Sequence, residues 1–143
     1  MDMQGLHGIR HWERVRQNGL EIVKATEGAN QEVVELFAYL HDCCRVNEGG
    51  DPGHGELAAE FAATLRGKSI HLNDEDFENL YMACKFHTSG YTEADVTVMA
   101  CWDSDRLDLG RCNIKPNPRF LCTEFAKKKS TIDKAYKRSR GQK

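Results

Sequence analysis

With 143 residues, 40% hydrophobic and 29% charged, the chain can bury a core in one domain without disulfides or structural metals. The small net charge of −2 and ordinary composition exclude a disordered polyelectrolyte. No apolar run approaches the roughly 20 residues of a membrane span. The opening MDMQGLHGIRHWERV lacks the basic start and apolar stretch of a secretory signal, which leads us to expect a cytoplasmic protein. Six cysteines (Cys43, Cys44, Cys84, Cys101, Cys112, Cys122) form no CxxC pair and read as free thiols in helix cores of a reducing compartment.

In chain order the pattern predicts helices throughout. A first helix over about residues 3 to 26 carries Ile9, Trp12, Val15, Leu20, Ile22 and Val23 at roughly helical spacing. Asn30 caps a second helix running through Val33, Val34, Phe37, Ala38 and Leu40, with His41 and Asp42 near its C-terminal end. A polar, Gly-rich loop from Arg45 to Gly50 leads to Asp51-Pro52, an N-cap followed by proline at the first helical position. The third helix then carries Leu57, Ala58, Phe61, Ala62 and Leu65, with His54 in its first turn. Asn73 caps an acidic first turn ahead of Phe77, Leu80, Tyr81 and Cys84, and this fourth helix leads to His87. Thr92 and Asp95 have the spacing of a capping box before a fifth helix that carries Asp103. Asn117-Pro118 opens a last helix through Phe120, Leu121 and Phe125. The fold class is therefore all-α: a single-domain bundle of about five to seven helices over residues 1–126. A basic helix end or tail follows over 127–143, with eight Lys or Arg against the single acid Asp133. A solvated face is the main reading of that tail, and no nucleic-acid partner is expected from it.

The placement of polar residues on apolar faces is more informative. Val34, Phe37, Ala38 and His41 share one face of the second helix, and Leu80, Cys84 and His87 one face of the fourth. Met99, Ala100, Asp103 and Leu107 line up on the fifth, and His7, His11 and Val15 are four residues apart. A buried polar group needs a partner and a buried charge needs pairing or a metal. Imidazoles and carboxylates projecting inward from several helices are how helical proteins build metal sites. This donor mixture suits Mn, Fe, Co, Ni or Zn over Mg or Ca.

The ordered set His11 in HWERV, His41-Asp42 in FAYLHD and Asp103 in CWDSDRLDL resembles the H…HD…D signature of the HD-domain superfamily. HWERV is similar to the family's H-x-x-R-V opening, and DSDRLD to its closing D-A-D-R-L-D. The resemblance covers about residues 7 to 111. It implies a helical bundle in which His11, His41, Asp42 and Asp103 bind one divalent transition metal. The activity it implies is hydrolysis of a phosphomonoester or phosphodiester by a metal-activated water. Some members show an expanded H…HD…H…H…D pattern holding a second metal, and His54 and His87 fit it. Alternatively one of them is a general acid for the leaving oxygen. Gly53 and Gly55 around His54 suggest close backbone approach to the site.

Candidate phosphate contacts are Arg45, Arg106, Arg111 and Lys115, while Glu48 and Asp51 could orient water or a ligand imidazole. His71 reads as a loop residue without a role. The implied partner is a small phosphorylated substrate, nucleotide-like, with no membrane. Two rivals stand beside hydrolysis: a paired-iron member of the same superfamily that cleaves carbon bonds with oxygen, and an HD-like module that senses a nucleotide without turnover.

Overall fold

A computed structural model describes residues 3, 5–45 and 53–141, and the expected supporting residues Glu48 and Asp51 lie outside them. Among the described residues there is no strand, only an isolated bridge between Arg66 and Ile70, and seven α-helices carry the fold.

Helix α1 (Ile9–Ala25) buries His11, Val15, Asn18, Gly19 and Ile22 along one stripe. It starts later than the periodicity suggests, because turns precede it, closed by Gly8 N–H donating to Gly5 O and Ile9 N–H to Met3 O. Helix α2 (Gln31–Leu40) begins where Asn30 Oδ1 accepts from Val33 N–H at 3.2 Å, satisfying one orphan donor of the first turn. Helix α3 (His54–Leu65) follows Gly53, whose φ of 88° is a left-handed conformation that favours glycine. Helix α4 (Asp74–Phe86) is capped by Asn73, which accepts from Asp76 N–H at 2.8 Å.

Two boundaries differ from the sequence expectation. Helix α5 (Val96–Arg106) is capped by Asp95, accepting from Thr97 N–H at 2.9 Å, and not by Thr92. The single helix expected from Asn117 is split into a 3-10 turn at Pro118–Phe120, an extended Leu121, α6 (Glu124–Lys127) and α7 (Lys129–Ser139). The extended step follows from Asp103, which takes the backbone N–H groups of Cys122 and Thr123 at 2.7 Å each and so holds them out of a helix. The basic segment is not a loose tail. Helix α7 buries Thr131, Ile132 and Ala135, and its Arg138 donates to Asn18 Oδ1 at 2.8 Å and Glu21 Oε2 at 2.9 Å on α1.

Helix α2 lies at the centre, packed on α1, α4 and α5, while α3 pairs with α4. Phe37, Ile22, Leu80, Leu107, Val33 and Val34 are fully buried between them, each contributing about 1.5–3 kcal/mol by leaving water. No helix among the described residues is long and apolar enough to cross a membrane. This arrangement brings the start of α1 and α3 and the ends of α2, α4 and α5 to one place in the bundle.

Candidate metal centre

His41 caps the C-terminus of α2, where the last carbonyls lack intrahelical partners. Its Nδ1 lies 3.0 Å from Phe37 O and 3.1 Å from Ala38 O, so Nδ1 carries the proton as donor and Nε2 presents a lone pair inward. Phe37 stacks on the same ring, with centroids 4.8 Å apart and planes 20° apart. His11 is oriented likewise by Asp108, whose Oδ2 accepts from Nδ1 at 2.6 Å. Asp108 is held in turn by Arg14 Nε at 2.7 Å. His87 donates from Nδ1 to Cys84 O at 2.7 Å. Bracing of the outer ring nitrogen by carbonyls and carboxylates is the usual support of a metal-binding imidazole.

The inward nitrogens meet in pairs. His11 Nε2 and His41 Nε2 are 3.0 Å apart, and His54 Nε2 and His87 Nε2 are 2.9 Å apart. In the first pair both Nδ1 atoms are committed as donors, so two lone pairs face each other unless a cation stands between them. Asp42 joins the pairs. Its Oδ2 lies 3.4 Å from both His11 Nε2 and His41 Nε2, and its Oδ1 lies 3.1 Å from His54 Nε2 and 3.4 Å from His87 Nε2. The result is two buried groups that could each hold a metal ion, His11/His41/Asp42 and Asp42/His54/His87, sharing one carboxylate.

Asp105 adds a fourth donor to the first group, and here the sequence expectation is corrected. Asp105 Oδ1 lies 3.1 Å from His11 Nε2 and 3.3 Å from His41 Nε2, buried and without a hydrogen-bond partner. Asp103 faces elsewhere: besides the two backbone N–H groups it accepts the Thr123 hydroxyl at 2.8 Å. Helical residues two apart are rotated by about 200°, so only one of these aspartates can face the imidazoles. The sequence pattern rightly put Asp103 on a buried face, but that face is turned to the segment leading into α6.

An orphaned carboxylate oxygen beside two opposed lone pairs fits a divalent cation of the kind that takes imidazole and carboxylate ligands. In the metal-free chain protons fill this role. Burial pushes the His41 imidazole down, but the Asp42 and Asp105 carboxylates outweigh it and hold its pKa at about 10. His11 is raised on the same balance, with Asp105, Asp108 and Asp42 opposing burial. Asp42 and Asp105 are both held well below the usual carboxylate range, because the neighbouring imidazoles, His41 foremost, outweigh the desolvation that would raise them.

The other expected residues divide. Arg45 places Nη1 3.3 Å from both ring nitrogens of His54, and Arg111 reaches Asp105 at 4.0 Å and Asp108 at 3.9 Å. The Arg111 Nε is buried and makes no hydrogen bond. Arg106 instead donates to Phe120 O at 3.0 Å, and Lys115 pairs with Asp133 at 2.7 Å, so neither belongs to the cluster. Gly55 bears out the suggestion of close approach: a Cβ there would stand 2.7 Å from Cys84 O, 3.0 Å from Lys85 O and 3.3 Å from His87 Nδ1. Cys43 and Cys44 sit beside the site with Sγ atoms 3.7 Å apart, and burial together with Cys44 holds the Cys43 thiol up at about 12. His71 is exposed, its Nε2 near Lys68 O.

Sequence reasoning missed Asp105 and Asp108, which stand two and five residues after Asp103 in the DSDRLD motif; the motif marks all three acids, but which of them face the imidazoles is set by how α1 packs on α5. His7, four residues before His11, also reaches the cluster, with Nδ1 3.2 Å from Asp42 Oδ2.

No family model, no curated protein and no solved structure matches this chain.

Proposed function

We propose that the chain is a metal-dependent phosphohydrolase with a two-metal centre, of the HD-domain kind that its motifs resemble. One observation carries this reading: the Asp42 carboxylate turns one oxygen to each of two imidazole pairs. His11, His41, Asp42 and Asp105 would hold one divalent ion and His54, His87 and Asp42 the other. Such ions supply water activation near neutral pH and charge neutralisation at a phosphoryl group. The chain's own residues do the rest. Asp108, Phe37 O, Ala38 O and Cys84 O fix the ring orientations, while Arg111 and Arg45 place positive charge at the rim, where an anionic ester would be oriented. Membership of His54 in a metal group favours a ligand role over that of general acid. A small phosphorylated metabolite, nucleotide-like, is the substrate class, and free thiols at all six cysteines suit a cytoplasmic setting.

A second reading has its own support. His54, His87 and Asp42 form a two-histidine, one-carboxylate set, the donor combination of non-haem iron oxygenases, so oxygen-dependent cleavage of a carbon bond by paired iron is the alternative.

Elemental analysis of protein purified without chelator tests the centre. Two metals per chain in the wild type, one in His54→Ala and none in Asp42→Ala are expected. Hydrolysis of phosphomonoesters or phosphodiesters with Mn, Co, Ni or Zn supports the first reading, and oxygen uptake with iron alone supports the second. Failure of the wild type to retain any of these metals would overturn both and leave a nucleotide-sensing module.

A further inference from the structure

Away from the His/Asp cluster, a cavity of about 390 Å³ opens between α4, α5 and the segment joining them, and none of the metal-group residues lines it. Its walls include Phe86, Tyr91, Trp102 and Met82, with Glu93 and Asp95 among the lining residues. Tyr91 stands between the other two rings, 6.0 Å from Phe86 and 6.3 Å from Trp102 between centroids, at 60° and 45°. Three π systems therefore curve around one space.

Two parts of this wall are fixed. Trp102 is 3% exposed and donates from Nε1 to Ala83 O at 3.1 Å. Asp95 is held by Thr97 N–H at 2.9 Å and Asn79 at 3.3 Å. Tyr91, by contrast, is 56% exposed. The rings already attract cations of the chain: Lys85 Nζ lies 5.3 Å from Phe86 and the Arg106 guanidinium carbon 5.4 Å from Trp102. Those two cations do not line the cavity, whereas two carboxylates do.

We propose that this cavity binds a quaternary ammonium cation. Aromatic faces attract positive charge, and the attraction strengthens as water is removed. A primary ammonium would have to replace three donated hydrogen bonds, and apart from Asn79, Glu93 and Asp95, whose Oδ1 is already taken by Thr97 N–H and Asn79, the wall is of rings and apolar side chains. A trimethylammonium group has none to replace, presents methyl surface to the rings, and keeps its charge within reach of Glu93 and Asp95.

The test compares choline with its uncharged isostere, in which a tert-butyl group replaces trimethylammonium. Tryptophan fluorescence and the ring-current shift of the methyl protons report binding. Choline is expected to bind about tenfold more tightly than the isostere, the order of a desolvated cation–π contact. Tyr91→Ala should abolish that preference, and Tyr91→Phe should keep it, with metal content the same in both. If Tyr91→Ala melts early, Glu93→Gln serves instead and should weaken choline but not the isostere. Equal affinity for the two compounds, no saturable binding, or an unaltered preference in both Tyr91→Ala and Glu93→Gln would overturn the proposal.

Discussion

The two halves of the cluster are built differently. His11 and His41 sit among fixed supports: a carboxylate itself held by arginine, two helix-end carbonyls, a stacked phenyl ring and a fourth donor in Asp105. His54 sits at the first position of α3, whose N-cap Gly53 offers no side chain, and its ring is met by the Arg45 guanidinium. His87 has one carbonyl partner for Nδ1. A site gains affinity when its ligands are held in place before the metal arrives, so the first half should bind tightly and the second should exchange. Among the described residues the second half offers fewer donors, and on the proposed hydrolase reading it is the half that would leave coordination positions for substrate. Charge follows the same division, since Asp105 and Asp108 belong to the first half alone and Asp42 serves both.

The comparison is broken most sharply at the two aspartates of α5. Asp103→Ala leaves the part-buried Cys122 and the buried Thr123 backbone N–H groups without their acceptor, which should cost about 3 kcal/mol and lower the melting temperature while metal content stays at the wild-type value. Asp105→Asn should do the reverse, with folding retained and the first metal lost. Thermal melts beside elemental analysis separate the two, and loss of metal in Asp103→Ala with full metal in Asp105→Asn would return the ligand role to Asp103.

Smaller changes sharpen the contrast between the halves. Asp108→Asn removes the anionic brace on His11 and should weaken the first metal by about 10–100-fold, the usual effect of a partner behind a ligand, with the second hardly affected. Gly55→Ala forces a methyl group against the α4 backbone where it holds His87, at a cost of about 1–3 kcal/mol, and should weaken the second metal only. Competition with a coloured chelator reads both affinities. Equal losses at both sites in either variant would mean that the halves do not act separately.

Much of this was legible beforehand, for definite reasons. Apolar spacing and the Asn30 and Asn73 caps located α2 and α4, and with them His41, Asp42 and His87, because local hydrogen bonds decide those boundaries. Asp103 against Asp105 was not legible. Both are short acids in one motif, and their directions depend on where α1 and the segment into α6 pack around α5, which is tertiary information. The division of the last helix was hidden for the same cause: a carboxylate nineteen residues away takes the N–H of Cys122. Arg106 and Lys115 were near the motif in sequence and engaged elsewhere in space.

A pH dependence is also expected, and it probes the first half. In the metal-free chain His41 is held at about 10 against an ordinary 6.5. A base whose folded value is raised contributes stability that is fully present below 6.5 and is lost as pH rises through about 10. The metal-free protein should therefore lose stability steadily across that window, as the proton between the Nε2 atoms leaves and the lone pairs are left facing each other. A metal takes the proton's place, so the loaded protein should not show this decline. The same exchange makes uptake release protons, and affinity should rise by about tenfold per pH unit for each proton displaced. Calorimetry in two buffers of different ionisation heat counts those protons. A count of zero between pH 7 and 9, or parallel melting curves with and without metal, would show that His41 is neutral before metal binds and that the opposed imidazoles are held apart by something other than a proton.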